Sequence, residues 1–154
     1  MPTIRNITMT KVGTLRLQSP LTISNSLTLT RGSILTDATN LLTIPNGVAV
    51  AGGNDSSYVD GPMDKIGNSA FTFPLGAVNN YAPLTITAPS TTTDDFRAQY
   101  YFTNPSPTYD TSMHAGTLNH INGNEYWTLN RITGASNVSA TLSWDTLRTG
   151  SINV

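Results

Sequence analysis

A chain of 154 residues is long enough for one domain, or for two small ones sharing a core. Charged residues make up only 11% and the formal net charge is -1, which excludes the basic stripe of a nucleic-acid binder and a polybasic membrane anchor. Without cysteine there is no disulfide, thiolate metal site or cysteine nucleophile, and no run approaches the roughly 18 apolar residues of a membrane helix.

Two lysines (Lys11, Lys65) and one glutamate (Glu125) leave the chain almost without long-chained helix formers. Threonine, serine and asparagine take the polar positions instead. Threonine is β-branched and stiff, so it suits half-exposed strands. Asparagine, glycine and proline suit the turns between them. Met1-Pro2-Thr3 opens without a charged, apolar signal segment, so either a signal has been removed or the chain is a piece of a longer one.

In chain order, short apolar strands recur at Leu15-Arg16-Leu17, Leu21-Thr22-Ile23, Leu27-Thr28-Leu29, Ile34-Leu35, Leu41-Leu42-Thr43-Ile44 and Val48-Ala49-Val50. A spacing of roughly six to seven residues matches the faces of a β-helix, and three such strands make a coil of about 18 to 20 residues. This stretch holds about two coils on that count. Three ordinary short hairpins are the alternative. Alternation puts Leu and Ile inward and Thr outward. Gly13, Gly32 and Gly47 fall at corners that favour a positive φ.

Residues 51–61 read as a break, with turn chemistry at Gly52-Gly53-Asn54-Asp55-Ser56-Ser57. Beyond it the spacing predicts longer strands over 70–73, 84–87, 96–102, 125–130 and 138–144, as in an antiparallel sandwich. Residues 103–124 are polar and carry Pro105 and Pro107, which predicts a surface excursion. No segment has a helical period. The expected fold is all-β: a short β-solenoid over residues 1–55, continuous with an antiparallel β-sandwich over 56–154.

Several segments resemble a known group. Ser57-Tyr58-Val59-Asp60-Gly61-Pro62-Met63-Asp64-Lys65-Ile66-Gly67-Asn68 is followed by Phe71-Thr72-Phe73-Pro74-Leu75-Gly76 and then Tyr81-Ala82-Pro83-Leu84. With residues 21–44 before them, and Glu125-Tyr126-Trp127-Thr128-Leu129 and Val138-Ser139-Ala140-Thr141-Leu142-Ser143-Trp144-Asp145 after, they resemble the β-helix and β-sandwich region of large secreted or cell-surface adhesin-like proteins of Bacteroidetes. That resemblance implies a secreted or surface location, export by the type IX route, and a role in adhesins or surface fibres. The chain departs from the group's pattern after Asp145, where residues 147–154 lack the further strand usual there.

Chemistry-bearing residues are sparse. His114, His120 and Glu125 offer a loose zinc set with no element to hold them on one face, and lone surface histidines are the simpler reading. For His120 the simpler reading is a hydrogen bond near Trp127. Asp94-Asp95, after Thr91-Thr92-Thr93, is a candidate calcium corner, and Asp55, Asp60 and Asp64 form a second loose group, without the spaced Asp-x-Asp-x-Asp-Gly loop. No Gly-x-Ser-x-Gly elbow or phosphate loop is present, and the chain is read as non-enzymatic. Phe71, Phe73, Tyr100, Phe102, Trp127 and Trp144 are expected in the core. Tyr101 and Tyr126 alternate the other way and are candidates for stacking on a glycan. Outward threonines (Thr22, Thr28, Thr30, Thr36, Thr43) do not repeat in the register of an ice-binding ladder, and solubility of an exposed face explains them.

A solenoid has two ends whose apolar coils need cover. Ile4, Ile7 and Met9 at one end, with Leu147, Ile152 and Val154 at the other, are the candidate contacts for head-to-tail self-assembly into a filament. The expected function is a repeating structural element of a surface fibre, stalk or adhesin. A carbohydrate-binding module of a larger secreted protein is the second reading.

Overall fold

The computed structural model describes residues 1–112 and 121–149. Its first two strands, β1 (Thr3–Arg16) and β2 (Leu21–Leu35), are long and run parallel in register, Ile4 beside Ile23 and Leu15 beside Ile34. Each bends around corners instead of lying flat. The partners of β2 on its other edge reveal the bends. Its beginning pairs with β3 (Leu42–Ile44), its middle with β4 (Ala49–Gly52) and its end with β5 (Val59–Asp60), all in parallel. Three successive neighbours along one strand are the three sides of a coil.

The parallel stack then takes one more layer. β6 (Met63–Ile66) lies parallel to β3, with Leu42 beside Met63. The chain therefore makes a solenoid-like stack of about three turns. The strand spacing alone predicts about two coils, because the turn residues 51–57 and Gly61-Pro62 hide the two-residue strand β5 between them. The hairpin alternative fails, since every pairing among β1 to β6 is parallel.

Gly13, Gly32 and Gly47 all have positive φ, as their corner positions require. Gly32 shows why a side chain is excluded. A Cβ there would lie 2.3 Å from the Lys11 carbonyl oxygen of the coil below, and φ is +89°. Its amide donates to the Ser56 carbonyl of the coil above at 2.7 Å, so three coils touch at this corner.

Beyond β6 the sheet continues with antiparallel strands, β11 (Asp95–Tyr101) on β6 and β12 (Tyr126–Thr133) on β11. Between them come β7 (Phe71–Phe73), the short hairpin of β8 (Gly76–Ala77) and β9 (Asn80–Tyr81), and β10 (Leu84–Ile86). β10 is flanked antiparallel by β7 and by β13 (Ala140–Leu142). A four-residue helix, α1 (Thr146–Thr149), comes last.

One core joins the two parts. Interior positions form columns across the layers: Leu21, Leu42, Met63 and Ala98 are in register and buried. Each full burial of a Leu or Ile contributes about 1.5–3 kcal/mol. Phe73, Leu75, Leu84 and Ile86 close the same cluster from the antiparallel side. The column Ile44, Lys65, Phe96 contains a cation. Lys65 is buried, its Nζ donates to the carbonyls of Pro45 (3.0 Å) and Ile66 (2.9 Å), and it lies 5.4 Å from the Phe71 ring centre. Burial lowers its pKa.

Two expected core aromatics lie outside it. Phe102 is exposed because β11 ends its pairing at Tyr101, and Trp144 is 58% exposed because β13 stops at Leu142. Phe71, Phe73 and Tyr100 are buried and Trp127 packs partly against the core.

Candidate functional site

The first coil is open. Among the described residues β1 pairs with β2 only, leaving the other edge of a 14-residue strand without a partner. Its inward positions repeat those of β2, and those near its two ends, Ile4 and Leu15, are not covered. Ile4 is 44% exposed where its neighbour Ile23 is 0%, and Leu15 is 39% exposed where Ile34 is 0%. Ile7 is buried and Met9 half-buried against the core. Sequence reasoning points to Ile4, Ile7 and Met9 at this end; the structure adds Leu15, for which the alternation Leu15-Arg16-Leu17 is the signal.

At the other end of the main sheet, β12 also has one unpaired edge among the described residues. Two antiparallel steps separate β12 from β6, so β12 runs in the same direction as β1. Leu147, on α1, is 95% exposed. Ile152 and Val154 lie outside the described residues, as do His114 and His120.

Tyr101 and Tyr126 are cross-strand partners on β11 and β12 and stack on each other, with centroids 4.5 Å apart and planes at 10°. Both are half-buried. Each thus gives one face to the other. Tyr109, which sequence reasoning does not single out, meets Tyr126 edge-on at 5.5 Å. Burial raises the Tyr101 pKa.

On the opposite face of the same strands lies a buried ionic cluster. The Tyr100 hydroxyl donates to Glu125 Oε2, and Arg148 Nη1 stands 3.4 Å from that oxygen. Both charged side chains are at least nine-tenths buried. Burial, then the Glu125 hydrogen bond, holds the Tyr100 pKa well above the ordinary tyrosine value. Glu125 is therefore committed to Tyr100 and Arg148, and α1 is tied to the β11–β12 edge through it.

Asp94 and Asp95 have different surroundings. Asp94 is buried, its Oδ2 accepting from the Ser136 hydroxyl and from the Thr91 amide at 3.1 Å. The Ser136 hydrogen bond holds its pKa below the usual range. Asp95 stands near Asp64 and Arg97, which are joined by two hydrogen bonds of 2.7 and 2.9 Å. Burial first, and Asp64 second, push the Asp95 pKa up to about 6, with Arg97 opposing. Among the described residues no three acidic or histidine side chains converge as a metal group.

The two aspartates give opposite pH dependences. Asp94 favours the fold when ionised, a contribution lost as pH falls through its lowered pKa. An unfolded aspartate titrates near pH 4. Between there and about pH 6 the folded chain holds a proton on Asp95 that the unfolded chain has released, so stability falls as pH rises through that window. Asp95→Asn is expected to raise the unfolding free energy at pH 7 by on the order of 1–2 kcal/mol, a figure reduced for the water that still reaches this half-buried group. It should have no such effect near pH 3.5. Urea titrations at both pH values check this, and an equal gain at both would contradict it.

A groove of about 320 Å³ runs along the corner where the coils meet. It is lined from the first coil by Val12 and Thr14, from the second by Arg31 and Ser33, and from the third by Asp55, Ser56 and Tyr58, with Asn79 of the β8–β9 turn. The charge distribution of the sequence is a signal for this region. Residues 1–36 contain Arg5, Lys11, Arg16 and Arg31 and no acid, a formal +4; the rest of the chain carries the other four bases and all nine acids, a formal -5.

No protein-family model, no curated protein and no solved structure matches the chain.

Proposed function

We propose that this chain is a non-enzymatic structural module of a secreted or cell-surface protein, a repeating unit of a fibre, stalk or adhesin, in which the open first coil receives a β-layer from a second copy. The observation that carries the reading is the exposure of two inward residues of β1 beside its unpaired edge. Ile4 and Leu15 stand in columns whose next members are fully buried, beside a long edge whose backbone donors and acceptors have no strand partner among the described residues. Such an edge is a template for strand addition.

Head-to-tail stacking suits the two ends. β12 of one copy runs in the same direction as β1, so their free edges can join as a parallel pair, the arrangement already used from β1 to β6. Head-to-head pairing would bring two formal +4 segments together and is disfavoured by charge. A heterologous contact of this kind does not close and extends into a filament. The resemblance to adhesin-like surface proteins supports the same reading, as does a composition rich in Thr and Asn.

The test is sedimentation velocity over a wide concentration range, with negative-stain electron microscopy of the same samples. Wild type is expected to gain mass with concentration and to form linear assemblies. The double variant Ile4→Asp and Leu15→Asp, changed at exposed positions, is expected to remain monomeric and folded. Assemblies unchanged in the double variant, or a wild type monomeric throughout, would sink the proposal.

A further inference from the structure

We propose that the corner groove is a binding site for a uronate residue of an acidic polysaccharide. This goes beyond the structural role and does not depend on assembly, since the groove lies along the side of the coil stack.

The groove's chemistry is that of a sugar site. A sugar ring presents adjacent hydroxyls that both donate and accept, and it needs fixed polar groups of both kinds around it. Among the lining residues the Asp55 carboxylate can accept, the Arg31 guanidinium can donate, and the Ser56 hydroxyl can do either, while the Thr14 and Ser33 hydroxyls share a hydrogen bond of 3.2 Å and keep their remaining lone pairs for a ligand. Val12, 81% exposed, gives an apolar margin for a sugar's C–H face. The volume of about 320 Å³ is at the small end of ligand sites and suits one or two sugar units.

Arg31 selects the charge of the ligand. Among the described residues its guanidinium has no hydrogen bond or ion pair, and Lys11 is close by at the same corner, where Thr10 and Arg31 are in register. A planar fork of donors with no internal acceptor matches a carboxylate in two hydrogen bonds. Asp55 on the facing coil limits how much negative charge the groove accepts. A phosphate-dense ligand such as a nucleic acid would crowd its anions against that carboxylate, whereas a uronate offers one carboxylate for Arg31 and hydroxyls for Asp55.

The walls are held in place before any ligand arrives. Asp55 Oδ1 accepts from the Tyr81 amide at 2.8 Å, and the Tyr58 hydroxyl accepts from the Asn79 backbone amide at 2.9 Å. The Ser57 hydroxyl donates to the Gly32 carbonyl at 2.8 Å, fixing the second coil to the third under the groove. The turn carrying Asn79 has positive φ at two non-glycine residues, Val78 (52°) and Asn79 (59°). A β-branched residue is strained there, and such strain persists only where surrounding contacts impose it. The two-residue β8–β9 hairpin imposes it, since such a tight turn takes positive φ at both central positions.

Titration calorimetry with trimers of galacturonate, glucuronate and mannuronate, and with their methyl esters, tests the site. At least one acidic trimer is expected to bind, and its neutral ester at least tenfold more weakly. Arg31→Gln should weaken the acidic trimer at least tenfold with an unchanged melting temperature. Arg16→Gln removes an exposed charge outside the groove and should stay within twofold of wild type. The proposal is overturned if none of the trimers binds, if the esters bind as well as the acids, or if Arg31→Gln binds like wild type. Equal losses in Arg31→Gln and Arg16→Gln would also overturn it, as diffuse attraction to a basic segment. The uncharged double variant Ile4→Asn and Leu15→Asn, which disrupts the same apolar contacts without adding a carboxylate beside Thr14, is expected to bind like wild type, which separates this site from assembly.

Discussion

Replacing Ile23 by alanine is expected to lower the unfolding free energy by about 2–5 kcal/mol, while the same change at its in-register neighbour Ile4 costs less than about 1 kcal/mol. The two side chains are chemically identical and occupy successive layers of one inward column. Ile23 has a coil on either side of it and no exposed surface, so truncation removes its burial and leaves a cavity that rigid layers cannot close. Ile4 has a layer on one side only and keeps 44% of its surface in water. Urea unfolding of both variants, at a concentration too low for association, measures the difference. Equal losses would mean that the first coil is covered in solution in a way its open edge does not show.

Arg148→Met is expected to cost about 3–5 kcal/mol. Arg148 stands beside Glu125 with both side chains buried, and Tyr100 donates to the same carboxylate. Removing the guanidinium leaves a carboxylate in the core without its cation, and the loss comes from that stranded charge more than from the pair itself. Adding Glu125→Gln to Arg148→Met removes the charge as well and should recover a large part of the loss. A double-mutant cycle by urea unfolding checks both statements. Two single variants within about 1 kcal/mol of wild type, below the range for a broken buried pair, would contradict the cluster's role in tying α1 to the sheet.

Much of the fold was legible in the chain. Leu21, Ile23, Leu27, Leu29 and Ile34 alternate with Thr and Ser, and they point inward as that period demands. Corner glycines and the absence of helix formers completed the solenoid reading. The third turn was hidden because β5 is two residues long and lies among turn residues, where period-2 alternation has no room to appear. Lys65 was equally opaque: a lysine at an inward position reads as a surface residue until Pro45 and Ile66 are seen to offer it carbonyls.

The candidate sites were less legible, because they depend on which distant segments meet. Tyr101 and Tyr126 stand out by their alternation, but that each spends one face on the other depends on the β11–β12 register. Asp94 and Asp95 are adjacent in sequence, yet one faces Ser136 and Thr91 and the other Asp64 and Arg97. Arg31, Asp55 and Asn79 share no local pattern; coil stacking brings them to one corner. The net charge of -1 conceals a basic first segment that a segment-by-segment count reveals.

Whether the open edge of β1 is a joining surface is tested most directly by amide hydrogen exchange, followed by mass spectrometry across the concentrations at which mass rises. Protection is expected to rise with concentration in peptides covering residues 3–16 and 126–133, while that of residues 21–35, already paired on both sides, stays unchanged. Exchange in residues 3–16 that is the same at every concentration, while assemblies form, would contradict it.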